Sequence, residues 1–193
     1  MKLYMIRHGE SLANRENLFS SPDTPLTERG IDDARSAGRL LAGKQFDRVL
    51  VSPYLRARQT QQYAMPGVEG EVVDLLHEFD CGSLEGNLYA DMLAAHQGLD
   101  ELLRVDNFSR FGGEDYADVR QRVRDLMELV AGMGAERIAA FSHAGFISTF
   151  FDEVQQREGK VGRNLHCSNG SINIFEYKNG QWWIRALNIT EHF

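Results

Sequence analysis

The sequence predicts an α/β fold: a three-layer sandwich with a mostly parallel central sheet, flanked by helices and ending in a C-terminal β-hairpin. Three observations carry this expectation. Short, nearly unbroken apolar runs at 3–6, 46–51 and 138–141 read as strands buried on both faces, as parallel sheets require. Segments with apolar residues at helical spacing separate them, so strand and helix alternate. Two β-rich runs at the end, 171–177 and 182–188, flank Asn179-Gly180, a strong hairpin-turn signal.

In chain order, the first strand stops at the polar tetrapeptide Arg7-His8-Gly9-Glu10. Residues 11–23 are polar, a loop with room for one helical turn. Thr27 is placed to cap a helix with Glu28 in its first turn, and Ile31, Ala34, Gly38 and Leu41 follow at helical spacing before a stop at Gly43. The second strand ends at Ser52-Pro53, where proline suits the opening of a helix carrying Leu55, Arg56, Thr60 and Tyr63. Val72, Val73 and Leu75 predict a third strand over 72–75, with Glu78 just beyond it. One or two helices span 88–105, and Gly112-Gly113 breaks the region. Asp115 then caps the strongest helical pattern, Val119, Val123, Leu126, Val130 and Met133. The fourth strand leads into Ser142-His143-Ala144-Gly145 and a helix over 146–154.

A chain of 193 residues fills one core and requires no second domain, so a single domain over 1–193 is expected. Its 42% apolar and 25% charged residues exclude a disordered or fibrous chain. The net charge of -7 argues against general nucleic-acid binding and leaves an anionic substrate to a local basic pocket. No apolar run spans a bilayer, and the run after Lys2 is too short for a signal peptide. Cys81 and Cys167 make no disulfide framework. The expectation is therefore no nucleic-acid partner, no membrane, and the cytoplasm as default compartment.

In open α/β sheets ligands bind beyond the carboxyl ends of the strands. There the first strand delivers Arg7 and His8, and the fourth delivers His143. Arg56 falls in the first turn of a helix, where backbone N–H groups also favour anions. Glu78 follows the third strand. An arginine fork suits phosphate, and a neutral imidazole is a nucleophile. Each residue alone has an ordinary structural explanation; five converging on one sheet edge point to chemistry on a phosphate.

Five segments carry a resemblance to a known family. They are Arg7-His8-Gly9-Glu10-Ser11 with Asn14; Leu26-Thr27-Glu28-Arg29-Gly30; Ser52-Pro53-Tyr54-Leu55-Arg56-Ala57-Arg58-Gln59-Thr60; Glu78 with Gly82 and Glu85-Gly86; and Ser142-His143-Ala144-Gly145. In this order they resemble the motifs of the histidine phosphatase superfamily, the phosphoglycerate mutase-like proteins, over nearly the whole chain. The resemblance implies a phosphomonoester hydrolase acting on a small phosphorylated metabolite, with no metal and no cofactor. His8 would become a phosphohistidine, while Arg7, Arg56 and His143 hold the phosphoryl oxygens. Glu78 would protonate the leaving oxygen and then activate water. Asn14, Ser20 and Ala144 would contact the substrate, although Ser20-Ser21 replaces the family's usual threonine and glycine.

The physics fits these roles. A transferring phosphoryl group spreads negative charge over its oxygens, and preorganised cationic donors stabilise it. Two displacements through His8 replace one hard step, and a positioned acid helps expel a basic alkoxide. The alternatives are a cofactor-dependent phosphoglycerate mutase and a non-catalytic phospho-ligand binder. Retention of all five core residues speaks against the binder. Against the mutase, the chain has no Arg-Arg dipeptide, and Leu12-Ala13 stands where those mutases place tryptophan.

Residues 86–113 are expected to arch over the pocket, with Arg104 and Arg110 as candidate anion contacts and Phe108 and Phe111 as walls. Cys81 reads as a small packed residue, and Glu114 as either pocket lining or a helix-start carboxylate. Trp182-Trp183 reads as sheet and core. His77, His96, His166 and His192 form no spaced pair that suggests zinc.

Overall fold

Along the first strand, β1 (Lys2–Arg7), side chains divide between two cores: Leu3 and Met5 join one cluster, Tyr4 and Ile6 the other. This alternation is what a strand covered on both faces must show. The structure, a computed structural model, describes residues 1–157 and 165–191; His192 lies outside them. The chain continues through α1 (Leu12–Glu16), α2 (Glu28–Leu41), β2 (Arg48–Val51), α3 (Leu55–Ala64) and β3 (Glu71–Val72). The covering segment holds α4 (Tyr89–Ala95) and α5 (Leu99–Arg104). After it come α6 (Tyr116–Gly132), β4 (Arg137–Ser142), α7 (Ala144–Val154), β5 (Ile172–Lys178) and β6 (Gln181–Ile189).

The sheet runs β3-β2-β4-β1-β5-β6. The first four strands are mutually parallel, and β5 and β6 extend the sheet as an antiparallel hairpin. Buried residues of α6 and α7 pack on the face of Leu3 and Met5, whereas Ala37, Leu41, Ala57 and Ala64 of α2 and α3 pack on that of Tyr4 and Ile6. The layers are thus helix, mostly parallel sheet, helix. Among the described residues no helix is long and apolar enough to cross a membrane.

Local chemistry sets the element ends. Thr27 accepts the N–H of Gly30, and Asp115 accepts those of Ala117 and Asp118, so both side chains satisfy open helix N-termini. Asn179 and Gly180 take φ of 54° and 77°, the paired positive values of a tight two-residue hairpin turn.

Two expectations need correction. The third strand is only Glu71–Val72, and Asp74–Leu76 form a 3₁₀ turn. Side chains claim the carbonyls that a longer strand would pair: Arg122 donates to Leu75 O, and the Ser142 hydroxyl to Leu76 O. The second strand begins at Arg48, because Phe46 leaves the ladder to pack edge-on against Tyr4 at 5.2 Å. Pro53 stands two residues before α3, with Tyr54 as its cap residue.

Candidate active site

Chain order would separate His8 from His143 by most of the sequence; sheet register brings them together. β4 returns between β2 and β1, pairing Arg7 with Ser142. The next residue on each strand is a histidine, and the two rings lie 5.2 Å apart. The His8 N–H donates to Ser142 O at 3.0 Å, fastening the two strand ends.

His8 is 4% exposed. Its Nδ1 donates to Gly9 O at 2.7 Å, so the network places the ring proton on Nδ1 and leaves Nε2 unprotonated. Arg56, itself 1% exposed, donates its Nε–H to that Nε2 at 3.3 Å and an Nη1–H to Ser21 O at 2.9 Å. Burial, then Arg56 and Arg7, hold the His8 pKa well below its ordinary 6.5. The ring is a neutral imidazole.

His143 is wholly buried. Ser52 Oγ accepts the Tyr54 N–H at 3.3 Å and pairs with His143 Nε2 at 2.8 Å. The ring's Nδ1 has no hydrogen-bond partner among the described residues. Burial, followed by Arg56, His8, His77 and Arg7, lowers this pKa too.

Glu78 reaches the N-terminus of α7. Its Oε1 accepts the N–H groups of Phe79 and Phe146, each at 3.1 Å, and Oε2 accepts that of Gly145 at 3.0 Å. Free N–H groups of a first helical turn are the donors available there. Gly145 leaves room for the carboxylate: a Cβ at that position would fall 2.5 Å from Glu78 Oε1.

These groups surround a cavity of about 170 Å³ lined by Arg7, His8, Asn14, Ser20, Arg56, Glu78 and Ala144. Of the eight positions singled out in the sequence, all but His143 line it. Phe79, Cys81, Tyr89, Asp106 and Phe108 complete much of the wall. Cys81 thus borders the cavity as well as packing, and burial with Glu78, Glu85 and Asp80 nearby keeps it a thiol.

The expectation for the covering segment is partly overturned. Phe108 lines the cavity, but Phe111 packs on His96 at 5.0 Å. Arg104 has a 78% exposed side chain beside Asp100, and Arg110 donates to Gln97 O at 3.2 Å; neither lines the cavity. Burial of Leu99 fixes the roll of α5 and leaves Arg104 on its outer face. Glu114 does not line this cavity either, being ion-paired with Arg122 at 2.8 Å. None of His77, His96 and His166 borders the cavity.

Sequence reasoning missed Asn169, whose Nδ2 donates to His8 O and to Asn14 Oδ1, both at 3.2 Å. No motif marks it. It also missed Tyr54, which stands edge-on to His143 at 5.3 Å with the Arg56 guanidinium 5.0 Å from its ring centre. Tyr54 does sit inside the segment 52–60, so its place beside Arg56 was available to be read.

A cavity with two arginines and a neutral histidine at the carboxyl edge of a parallel sheet defines an enzyme acting on phosphate esters. The chain belongs to the histidine phosphatase superfamily (branch 1), whose family model matches residues 3–190. The adenosylcobalamin/alpha-ribazole phosphatase of Salmonella typhimurium is 30% identical over 201 residues, covering 100% of this chain and 93% of that protein. A 2,3-bisphosphoglycerate-dependent phosphoglycerate mutase of Methylobacterium sp. is 34% identical over 157 residues, 73% of this chain and 74% of that one. Among solved structures, the alpha-ribazole phosphatase of Shigella flexneri superimposes with a TM-score of 0.87 at 26% identity, covering 98% of this chain and 96% of that one. Family, fold and relatives together make the chain a phosphatase-class hydrolase.

Proposed function

We propose that the chain hydrolyses small phosphomonoesters through a phosphohistidine at His8, without a metal. The observation that carries this reading is the state of His8: neutral, protonated on Nδ1, its Nε2 beside Arg56 at the cavity. In the first step Nε2 forms the bond to phosphorus as the ester P–O bond breaks, and Glu78 gives its proton to the departing oxygen. In the second, water attacks phosphorus, Nε2 departs, and Glu78 takes the water proton. Inorganic phosphate is released and both residues return to their starting state.

Arg7 and Arg56 supply the positive charge and Asn14 a further amide; in the tautomer protonated on Nδ1, His143 adds a donor at an atom that no described group occupies. Ser20 and Ala144 border the substrate. Oε2 of Glu78, with one backbone partner against two on Oε1, is the oxygen that carries the proton. Neither Cys81 nor Cys167 is in a disulfide, which suits a reducing compartment such as the cytoplasm.

A mutase is the second reading, favoured by the similarity to the Methylobacterium enzyme. It requires cations for a substrate carboxylate, and Arg104 and Arg110 lie away from the cavity. Rapid quenching with labelled substrate tests the covalent step. An acid-labile, base-stable phosphoprotein is expected in the wild type and none in His8→Ala, which should be inactive yet folded. Turnover by His8→Ala, or activity lost on chelation and restored by magnesium or zinc, overturns the mechanism. A panel of phosphorylated metabolites, beginning with alpha-ribazole 5′-phosphate, identifies the substrate. Efficient conversion of 3-phosphoglycerate to 2-phosphoglycerate with catalytic 2,3-bisphosphoglycerate, and little free phosphate, reverses the choice of hydrolase.

A further inference from the structure

Glu78 rides on an irregular stretch between the 3₁₀ turns Asp74–Leu76 and Gly82–Leu84, with no strand ladder to hold it. Arg122, from the middle of α6, makes several of the bonds that hold this stretch. Its Nη1 donates to Leu75 O and His77 O, both at 2.9 Å. Its Nη2 donates to Glu78 O at 3.4 Å and Glu114 Oε2 at 2.8 Å, and its Nε to Glu114 Oε1 at 2.8 Å. A guanidinium has five N–H donors, and this one has five acceptors. Glu114 closes the arrangement by accepting the Asp80 N–H on Oε2 at 3.0 Å.

The backbone is therefore gripped before, at and after Glu78. The same guanidinium lies 5.2 Å from the ring centre of Phe146, whose N–H binds Glu78 Oε1. Both ends of Glu78, its carbonyl and its carboxylate, are referred to Arg122 and the start of α7. Glu114 holds no part of the cavity wall, so this pair does not bind substrate.

We propose that Arg122 and Glu114 are positioning residues that hold the Glu78 carboxyl group in line with the leaving oxygen; this rests on the role of Glu78 given above. A lysine at 122 keeps the charge but has three donors on one nitrogen, and it cannot span three carbonyls and a carboxylate. Losing the clamp misplaces the acid without touching the phosphoryl site. The deficit then appears only where the leaving oxygen needs a proton.

Single-turnover phosphorylation of His8 provides the test, with 4-nitrophenyl phosphate and the best alkyl phosphate of the substrate panel, in wild type, Glu78→Gln, Arg122→Lys, Glu114→Gln and Glu78→Gln/Arg122→Lys. Arg122→Lys and Glu114→Gln should slow the alkyl ester by roughly 10²-fold, the effect of about 1 Å of misplacement. The aryl ester and both KM values should change little. The double variant should be no slower on the alkyl ester than Glu78→Gln alone. Equal losses on the two esters, or additive losses in the double variant, overturn the clamp if Glu78→Gln is itself ester-selective. An unselective Glu78→Gln overturns the role of Glu78 and the clamp with it. Thermal melts identify a variant that fails to fold; if Arg122→Lys does so, Glu114→Gln decides by the same comparison.

Discussion

Ser52 is the hydrogen-bond partner of His143 Nε2. Its Oγ accepts the Tyr54 N–H and lies 2.8 Å from His143 Nε2; when it donates there, the His143 proton is held on Nδ1. Ser52→Ala should free the ring to change tautomer and slow His8 phosphorylation roughly tenfold, the ~1.4 kcal/mol of one ordinary hydrogen bond. Nitrogen NMR of His143 with rapid-quench rates checks this, and an unchanged tautomer and rate would refute it. Individual residues were legible when they directly follow a strand, as His8 and His143 do, because the strand itself aims them. Asn169 was not. It reaches His8 only because β5 pairs antiparallel with β1 and draws the residues before it across the β1 end. Arg104 was misjudged for a related reason: its charge is visible in the sequence, but the roll of α5 that turns it outward is not.

At the scale of elements, the loop after β1 is pressed against the first turn of α2. Thr27 N–H donates to Glu10 O at 2.9 Å, and the backbones meet at two glycines. A Cβ on Gly30 would fall 1.9 Å from Glu10 O, and one on Gly9 would fall 2.0 Å from Gly30 O. Gly→Ala ordinarily strengthens a helix, but here the close neighbour is backbone that cannot rotate aside. Gly30→Ala should cost about 1–3 kcal/mol and lower activity by shifting the His8 loop. Gly132, the last residue of α6, has nothing near its absent Cβ, and Gly132→Ala should gain up to about 1 kcal/mol. Melting both variants tests the contrast; shifts of the same sign would refute it. The same logic separates legible from illegible elements. Thr27, Asp115 and Asn179-Gly180 act within a few residues, so their helices and hairpin could be read directly. The 72–75 run has the composition of a strand, yet at its end the carbonyls of Leu75 and Leu76 go to Arg122 and Ser142, distant partners that local pattern cannot reveal.

The whole molecule carries -7 yet buries a cation, Arg56, beside two neutral histidines. Burial first, and Arg56 next, depress both histidine pKa values, and this ties the site to global stability. In the unfolded chain these rings titrate near their ordinary 6.5, and in the folded protein well below it. Between those values the unfolded chain binds protons that the folded chain refuses. Their contribution is therefore fully present above about pH 6.5 and is lost as the pH falls, until the folded rings take up protons. Carboxylates add their own slopes, so the informative quantity is the difference between wild type and His8→Asn, which should melt with a shallower loss below pH 6.5. Inorganic phosphate supplies a second check. Binding at 100 times its Kd should add about 2.7 kcal/mol. A bound anion beside His8 and His143 also favours their protonated forms, raising the folded pKa values toward 6.5 and flattening the wild-type slope. Melts across this range in phosphate and in chloride decide the matter. Equal slopes in the two salts, or an undiminished slope in His8→Asn, would show that the buried histidines are not what couples this site to the stability of the fold.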